Sequence, residues 1–250
     1  MPNLKLSSGR KMVLELLHHA RKVPSIPVAR ELTIAPLVER RAASELRPSW
    51  TAIFLRAYGL VSRDIPELRR SFIPYPWKRL YEHPFSSGAV VVEREFEGEP
   101  ILLAAKIREP ELKPLAFLDG WLQRLKTAPL HTISDFRQLL RFCKAPALFR
   151  RFVFWHSLYW SGKMRTKRFG TFMLSSYGSL GAEQIHPITA LTTLFTFGPI
   201  SADGRVTAKI IYDHRVMDGR RVAEALAALQ RILNDVILPE LSAPASAQAA

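Results

Sequence analysis

The stretch Tyr212-Asp213-His214-Arg215-Val216-Met217-Asp218-Gly219 joins two segments of different periodicity. Before it, Val206, Ala208, Ile210 and Tyr212 alternate, the pattern of a strand with one buried face. After it, Val222, Ala225, Leu226, Leu229, Ile232 and Leu233 recur at helical spacing, and Gly219 opens that helix. His214 is therefore expected at a strand end, held by a sheet yet open to substrate. An imidazole titrates near neutrality, so a histidine so placed can accept a proton at working pH. Asp218 and Gly219 supply the turn, and Asp218 is a candidate N-terminal cap for the helix. Chance gives about 0.01 copies of His-x-x-x-Asp-Gly in a chain of this composition. The pattern alone leaves open a blander reading, a strand-end histidine beside a capping aspartate.

Working outward, Asp203-Gly204 is a tight-turn signal, and Ala190–Phe197 and Gly170–Ser176 read as strands. At the N-terminus, Ser7 or Ser8 can cap a helix through Met12, Val13, Leu16, Leu17 and Ala20. Ile26, Val28, Leu32 and Ile34 then keep the period of a strand. Pro36 suits the first turn of a helix running to Leu46, and Ser49 caps another through Ile53, Ala57 and Leu60. Residues 71–86, with Pro74, Pro76 and Pro84, read as irregular. Strands follow at Ala89–Glu95 and Ile101–Ile107, with hairpin chemistry in Glu97-Gly98-Glu99. Helical patterns occupy 114–126, 134–143 and 146–160. This order predicts a mixed α/β domain, an α+β sandwich rather than a doubly wound sheet, over residues 1–241. The small residues 242–250 read as a disordered tail.

Composition narrows the function classes. The 250 residues are 48% hydrophobic, which excludes a wholly disordered chain. A single cysteine, Cys143, excludes an internal disulfide framework and a multi-cysteine zinc site, and His18-His19 lacks metal-ligand spacing. The net charge of +14 attracts nucleic acid, anionic lipid or acidic partners. No nucleic-acid recognition motif accompanies it. No segment reads as a membrane span or a signal peptide, so the expected location is cytoplasmic.

The stretch at 212–219 resembles the DHRxxDG signature of the E2 acyltransferases of 2-oxo acid dehydrogenase complexes, which share a fold with chloramphenicol acetyltransferase. Phe169-Gly170-Thr171-Phe172-Met173-Leu174-Ser175-Ser176-Tyr177-Gly178 is similar to that family's GTFTISNLG segment. Arg10–Leu32 resembles the opening of the E2 catalytic domain, and Pro66-Glu67-Leu68 sits where the family has PELN. The likeness spans residues 8–236, strongest over 169–235. Condensation domains and chloramphenicol acetyltransferases usually carry a second histidine where this chain has Asp213.

The resemblance implies a chloramphenicol acetyltransferase-like fold for CoA-dependent acyl transfer. It implies His214 as general base and Ser175 as the hydroxyl that stabilises the tetrahedral oxyanion, with the neighbouring Ser176 an alternative donor. It implies that Asp218 is paired with an N-terminal arginine, best matched by Arg10, and with Gly219 supports the histidine loop. The substrate would be an acyl thioester of coenzyme A, or of a lipoyl or acyl carrier protein. Transfer would be direct, in a ternary complex, without a metal or a covalent enzyme intermediate. The family's active site lies between subunits, so the expectation is a homotrimer or a multiple of trimers, with His214 from one chain and Ser175 from its neighbour.

Two features depart from that family. With only residues 1–9 ahead of Arg10, the chain is expected to lack a lipoyl arm of its own, which favours a stand-alone enzyme. Residues 136–182 hold nine cations and no acidic side chain, interleaved with Phe149, Phe152, Phe154, Trp155, Tyr159 and Trp160. The segment 136–168 thus suits an anionic membrane surface, an acidic carrier protein, or coenzyme A phosphates. It equally suits a solvated basic face over a core-facing aromatic stripe. A non-catalytic E2-like scaffold is the alternative to the enzyme.

Overall fold

The computed structural model describes residues 6–242. Ser7 does cap the first helix: its hydroxyl accepts the Arg10 N–H at 3.3 Å, starting α1 (Ser8–Ala20). Next come β1 (Ser25–Thr33), α2 (Ala35–Ala43) and α3 (Trp50–Asp64), the last capped by the Ser49 hydroxyl. β2 (Arg70–Ile73) and β3 (Arg79–Glu82) follow, then β4 (Ser87–Phe96), β5 (Glu99–Arg108), α4 (Leu115–Thr127), α5 (Ser134–Cys143), α6 (Ala147–Trp155) and α7 (Gly162–Phe169). The chain finishes with β6 (Phe172–Leu174), β7 (Thr193–Phe197), β8 (Arg205–Asp213), α8 (Gly219–Ile232) and α9 (Leu238–Ser242). Ser242, assigned to the tail by sequence, closes α9; the rest of that tail lies outside the described residues.

A six-stranded sheet runs in the order β1-β8-β7-β6-β4-β5. β6 lies parallel to both β4 and β7, and the other pairings are antiparallel. One face carries Val90, Leu103, Phe172, Phe195, Ile210 and Tyr212 into the main core against α3 and α8. Phe54 and Tyr58 of α3 stack on Phe197 and Phe195, with centroids 4.3 and 5.0 Å apart. Burying each such ring is worth about 1.5–3 kcal/mol. Over part of the opposite face lie α1, α5, α6 and α7, with a second cluster of Ala20, Phe154, Leu158 and Ala190. Helices on both faces of a largely antiparallel sheet make the α+β sandwich anticipated from the element order.

Three local expectations fail. Residues 71–86 are not irregular: β2 and β3 pair in register from Arg70↔Glu82 to Ile73↔Arg79. Four-residue strands separated by prolines carry too little alternation to be read as such. The helix begun at Pro36 stops at Ala43, short of Leu46. An additional helix, α7, fills the stretch between residue 160 and Gly170.

Candidate active site

Strand alternation sorts the Asp213-His214-Arg215 triplet. Asp213 points inward, 1% exposed, and its N–H donates to the Thr192 carbonyl at 2.8 Å. Arg215 turns back onto it: Nε reaches Oδ1 at 2.9 Å and Nη2 reaches Oδ2 at 2.7 Å, a two-pronged pair. The same guanidinium lies 4.6 Å from the Phe72 ring of β2. A second cation, the buried Arg165 of α7, lies within the field of Asp213 and donates to the Leu158 and Ala190 carbonyls at 3.1 and 3.0 Å. Burial lowers the Arg165 pKa to about 10, and the Asp213 charge opposes that shift.

With both neighbours committed, His214 projects outward. Its N–H donates to the Pro24 carbonyl at 3.1 Å, and its imidazole is 44% exposed. Nδ1 lies 3.5 Å from an Asp218 carboxylate oxygen. The Tyr212 ring packs 5.6 Å away. Burial, and then the Asp218 charge, raises the Tyr212 pKa. At Gly219 an added Cβ would stand 3.3 Å from the Tyr212 hydroxyl, so a small residue keeps that approach open.

Two expected roles change. Asp218 occupies the N-cap position of α8, but its side chain caps no N–H of the helix; it faces His214 instead. Among the described residues Arg10 forms no ion pair with Asp218. It sits in the first turn of α1, where neighbouring Ser8 and Gly9 meet Glu97 and Ile101. The other end of α1 leads into β1, and β1 begins opposite Asp213. Thirteen helical residues span about 20 Å, so the helix itself separates Arg10 from the histidine loop. The cations that do brace the loop are the buried Arg165 and the exposed Arg215. Arg165 was hidden in the basic run, where spacing gives no sign of which cation turns inward.

Ser175 follows β6, and its N–H donates to the Phe195 carbonyl at 3.2 Å. Its hydroxyl has one long contact, from the Gln184 amide at 3.4 Å. Ser176 differs. Its hydroxyl donates to the Phe197 carbonyl at 2.7 Å and accepts the Gly178 N–H at 3.1 Å, so it is spent on its own turn.

The structure does not bring Ser175 and His214 together within one chain. Leu174 pairs with Phe195, which pairs with Ile210, so Ser175 stands level with Thr196 and Lys209. His214 is five residues further along β8, about 17 Å in the strand direction and two strand spacings across. The loop after Ser175 exposes Tyr177, Leu180, Ile185 and Ile188, the latter three at 77%, 79% and 53%. Beside His214, Glu67, Arg70, Arg220, Arg221 and Glu224 line a polar cleft that includes Asp218.

The basic segment divides. Arg150 is buried and donates to the Cys143 and Ala145 carbonyls, and Arg165 is buried as described, so neither belongs to a solvated face. Phe154 packs inward on His19, while Leu148, Phe149 and Phe152 stay exposed on α6. Burial raises the Cys143 thiol to about 11. Among the described residues no group of three or more His, Cys, Asp or Glu is placed to hold a metal ion, and no helix is long and apolar enough to cross a membrane.

No protein-family model and no curated protein sequence matches this chain. Solved structures do. A probable dihydrolipoamide acetyltransferase from Listeria monocytogenes superposes with a TM-score of 0.68 and 16% identity, over 94% of this chain and 95% of that one. Dihydrolipoamide acetyltransferase from Azotobacter vinelandii gives 0.69 and 17%, over 94% and 92%. Chloramphenicol acetyltransferase gives 0.51 and 12%, over 92% and 96%. The chain therefore has the fold shared by E2 acyltransferase catalytic cores and chloramphenicol acetyltransferase.

Proposed function

We propose that this protein is an acyltransferase that moves an acyl group from a thioester, of coenzyme A or of a lipoyl or acyl carrier protein, to a thiol, hydroxyl or amine. The observation that carries it is the histidine loop. The pair between buried Asp213 and Arg215 fixes the backbone on either side of an outward imidazole. The Asp218 oxygen near Nδ1 favours the tautomer that leaves Nε2 free to accept a proton. Nε2 takes the acceptor's proton as its sulfur, oxygen or nitrogen attacks the thioester carbonyl. The Ser175 hydroxyl donates to the oxyanion so formed. Collapse expels the thiolate, which takes the proton back from His214. The spacing has a parallel: the study of the Azotobacter vinelandii enzyme concerns a serine, a histidine and an asparagine four residues after that histidine. Here Asp218 holds the equivalent spacing from His214.

Because one chain keeps Ser175 and His214 apart, the site is completed by a second copy, in a homotrimer or a multiple of it. The exposed apolar loop after Ser175 gives that copy a surface to cover. The test is acyl transfer from a chain-length panel of acyl-CoAs to dihydrolipoamide, wild type beside His214→Ala. Transfer that disappears in the variant supports the reading. Transfer that survives it refutes the base assignment, and no transfer with any donor, together with no binding of coenzyme A, moves the reading to a scaffold.

One observation favours a contact role beside catalysis. On α6 the apolar side chains Leu148, Phe149 and Phe152 are exposed next to exposed Arg141, Lys144 and Arg151. This pairing fits peripheral attachment to an anionic membrane. Sedimentation with vesicles of anionic lipid, but not neutral lipid, is the expected result; equal sedimentation with both removes the membrane role.

A further inference from the structure

The second layer of helices does not close flat on the sheet. Between them lies a cavity of about 280 Å³. Its floor is Ala89 of β4, Ala104 of β5 and Met173 of β6, side chains too small or too thin to fill the space. Phe142, Phe154 and Phe169 form apolar walls. Among the described residues the one acidic side chain of the lining, Asp135, is neutralised by Lys106 at 2.8 Å. Two more cations line the cavity from exposed positions, Lys167 and Arg168. The Arg168 guanidinium is partly engaged by the Ser157 hydroxyl at 2.6 Å, while Lys167 has no ion-pair partner among the described residues. An apolar interior with unbalanced positive charge at its open side is complementary to an aliphatic chain carrying an anionic head.

We infer that this cavity is a binding site for a linear acyl chain of medium length, as a free carboxylate or as a thioester, with the polar end at Lys167 and Arg168. At about 30 Å³ for each water-sized group, the cavity takes about nine such groups. That sets an upper length near that of a decanoyl chain. Met173 precedes Ser175 by two residues and shares its side of the strand, so the site adjoins the oxyanion serine. The inference is about binding and goes beyond the transfer reaction. It stands or falls separately from it.

Calorimetric titration of the full chain with hexanoate, decanoate, hexadecanoate and decanoyl-CoA tests it. Up to the cavity's length, each methylene tightens binding by about fourfold. Decanoate is therefore expected to bind far more tightly than hexanoate, with no further gain at hexadecanoate. Ala104→Phe, which fills the floor, is expected to weaken decanoate at least tenfold. Lys167→Glu is expected to weaken it severalfold. Ala104→Leu serves if the larger side chain unfolds the protein, which circular dichroism reports. Phe117→Asp, at an exposed position of α4 outside the cavity, is expected to leave decanoate binding unchanged. Tighter binding of decanoyl-CoA than decanoate identifies the thioester as the ligand, and the reverse identifies the free acid. Binding that ignores both Ala104 variants, or that Phe117→Asp abolishes, overturns the site. Acyl transfer that fails while decanoate binding behaves as stated removes the enzyme and leaves the site.

Discussion

The two halves of the candidate active site are built differently. At the His214 end, the flanking charged groups are held inside the chain: Asp213 with Arg215, Arg165 with carbonyls, and the Asp213 N–H with the Thr192 carbonyl. At the Ser175 end, the hydroxyl has one long contact and the following loop shows four large apolar side chains to solvent. The first end is finished by folding. The second leaves apolar surface exposed, and under the proposed function another copy completes it. Under the proposed function a site divided in this way would tie activity to assembly, and substitutions at the folded end would act on stability as well.

The largest effect expected is on catalysis at the finished end. His214→Ala should lower acyl transfer by about 10²–10⁴-fold, the usual worth of a positioned base, with an unchanged melting temperature. Next comes the brace behind it. Arg165→Met leaves Asp213 with less buried positive charge and frees the Leu158 and Ala190 carbonyls. Leaving a buried carbonyl unpaired costs about 1–3 kcal/mol, so chemical denaturation should show a loss of that order for each of the two. An Arg165→Met variant as stable as wild type would mean that Arg215 alone satisfies Asp213.

The unfinished end should respond in the opposite manner. Ser175→Ala should cut the turnover number by about 10²–10³-fold and leave stability intact, because the hydroxyl holds nothing within the chain. Ser176→Ala should do the reverse: near-normal turnover and a loss of about 1 kcal/mol in stability from its two turn hydrogen bonds. Leu180→Asp should lower the mass seen by light scattering and, with it, activity, while the circular dichroism spectrum stays native. A monomeric wild type with full activity would break the divided-site comparison outright.

How much of this was legible follows the same division. The strand, loop and helix from Val206 to Leu233 carry uninterrupted periodicity, so the placement of His214 and Gly219 could be read directly. Asp218 was placed correctly at the head of α8, but not its orientation, since a carboxylate can face the helix N–H groups or a histidine without any change in spacing. The hairpin of β2 and β3 escaped because its strands are short and proline-bounded. The brace escaped for a different reason. Charged side chains are read as solvated by default, and an inward Arg150 or Arg165 is revealed only by the carbonyls it meets in three dimensions. Arg10 was paired with Asp218 from resemblance, and the length of α1 undoes that pairing within the chain.

A different kind of effect lies in the acid dependence of stability, and it too should favour one end. His83 is fully buried, shared between the Ser71 and Thr166 hydroxyls, and burial, then Arg165 and Arg69, lowers its pKa to about 3. His19, beside the Tyr159 hydroxyl at 3.0 Å, falls to about 4 through burial and then His18. Both are neutral in the fold while the unfolded chain protonates them below about pH 6.5. The unfolded state therefore binds more protons as pH drops, and stability declines from about 6.5 toward 3–4, by up to about 1.4 kcal/mol per pH unit for each histidine. Above pH 6.5 neither contributes a slope. Since the Ser71–His83–Thr166 and Thr192 contacts lie behind Asp213, acid should loosen the His214 end first. His83→Gln should flatten the curve by one histidine's share in urea melts between pH 6.5 and 4. Amide exchange over the same range should accelerate at Asp213–Val216 before it does at Ser175. A wild-type stability that stays level across that range, or exchange that speeds up first around Ser175, would show that the tightly paired end is not where protons attack the fold.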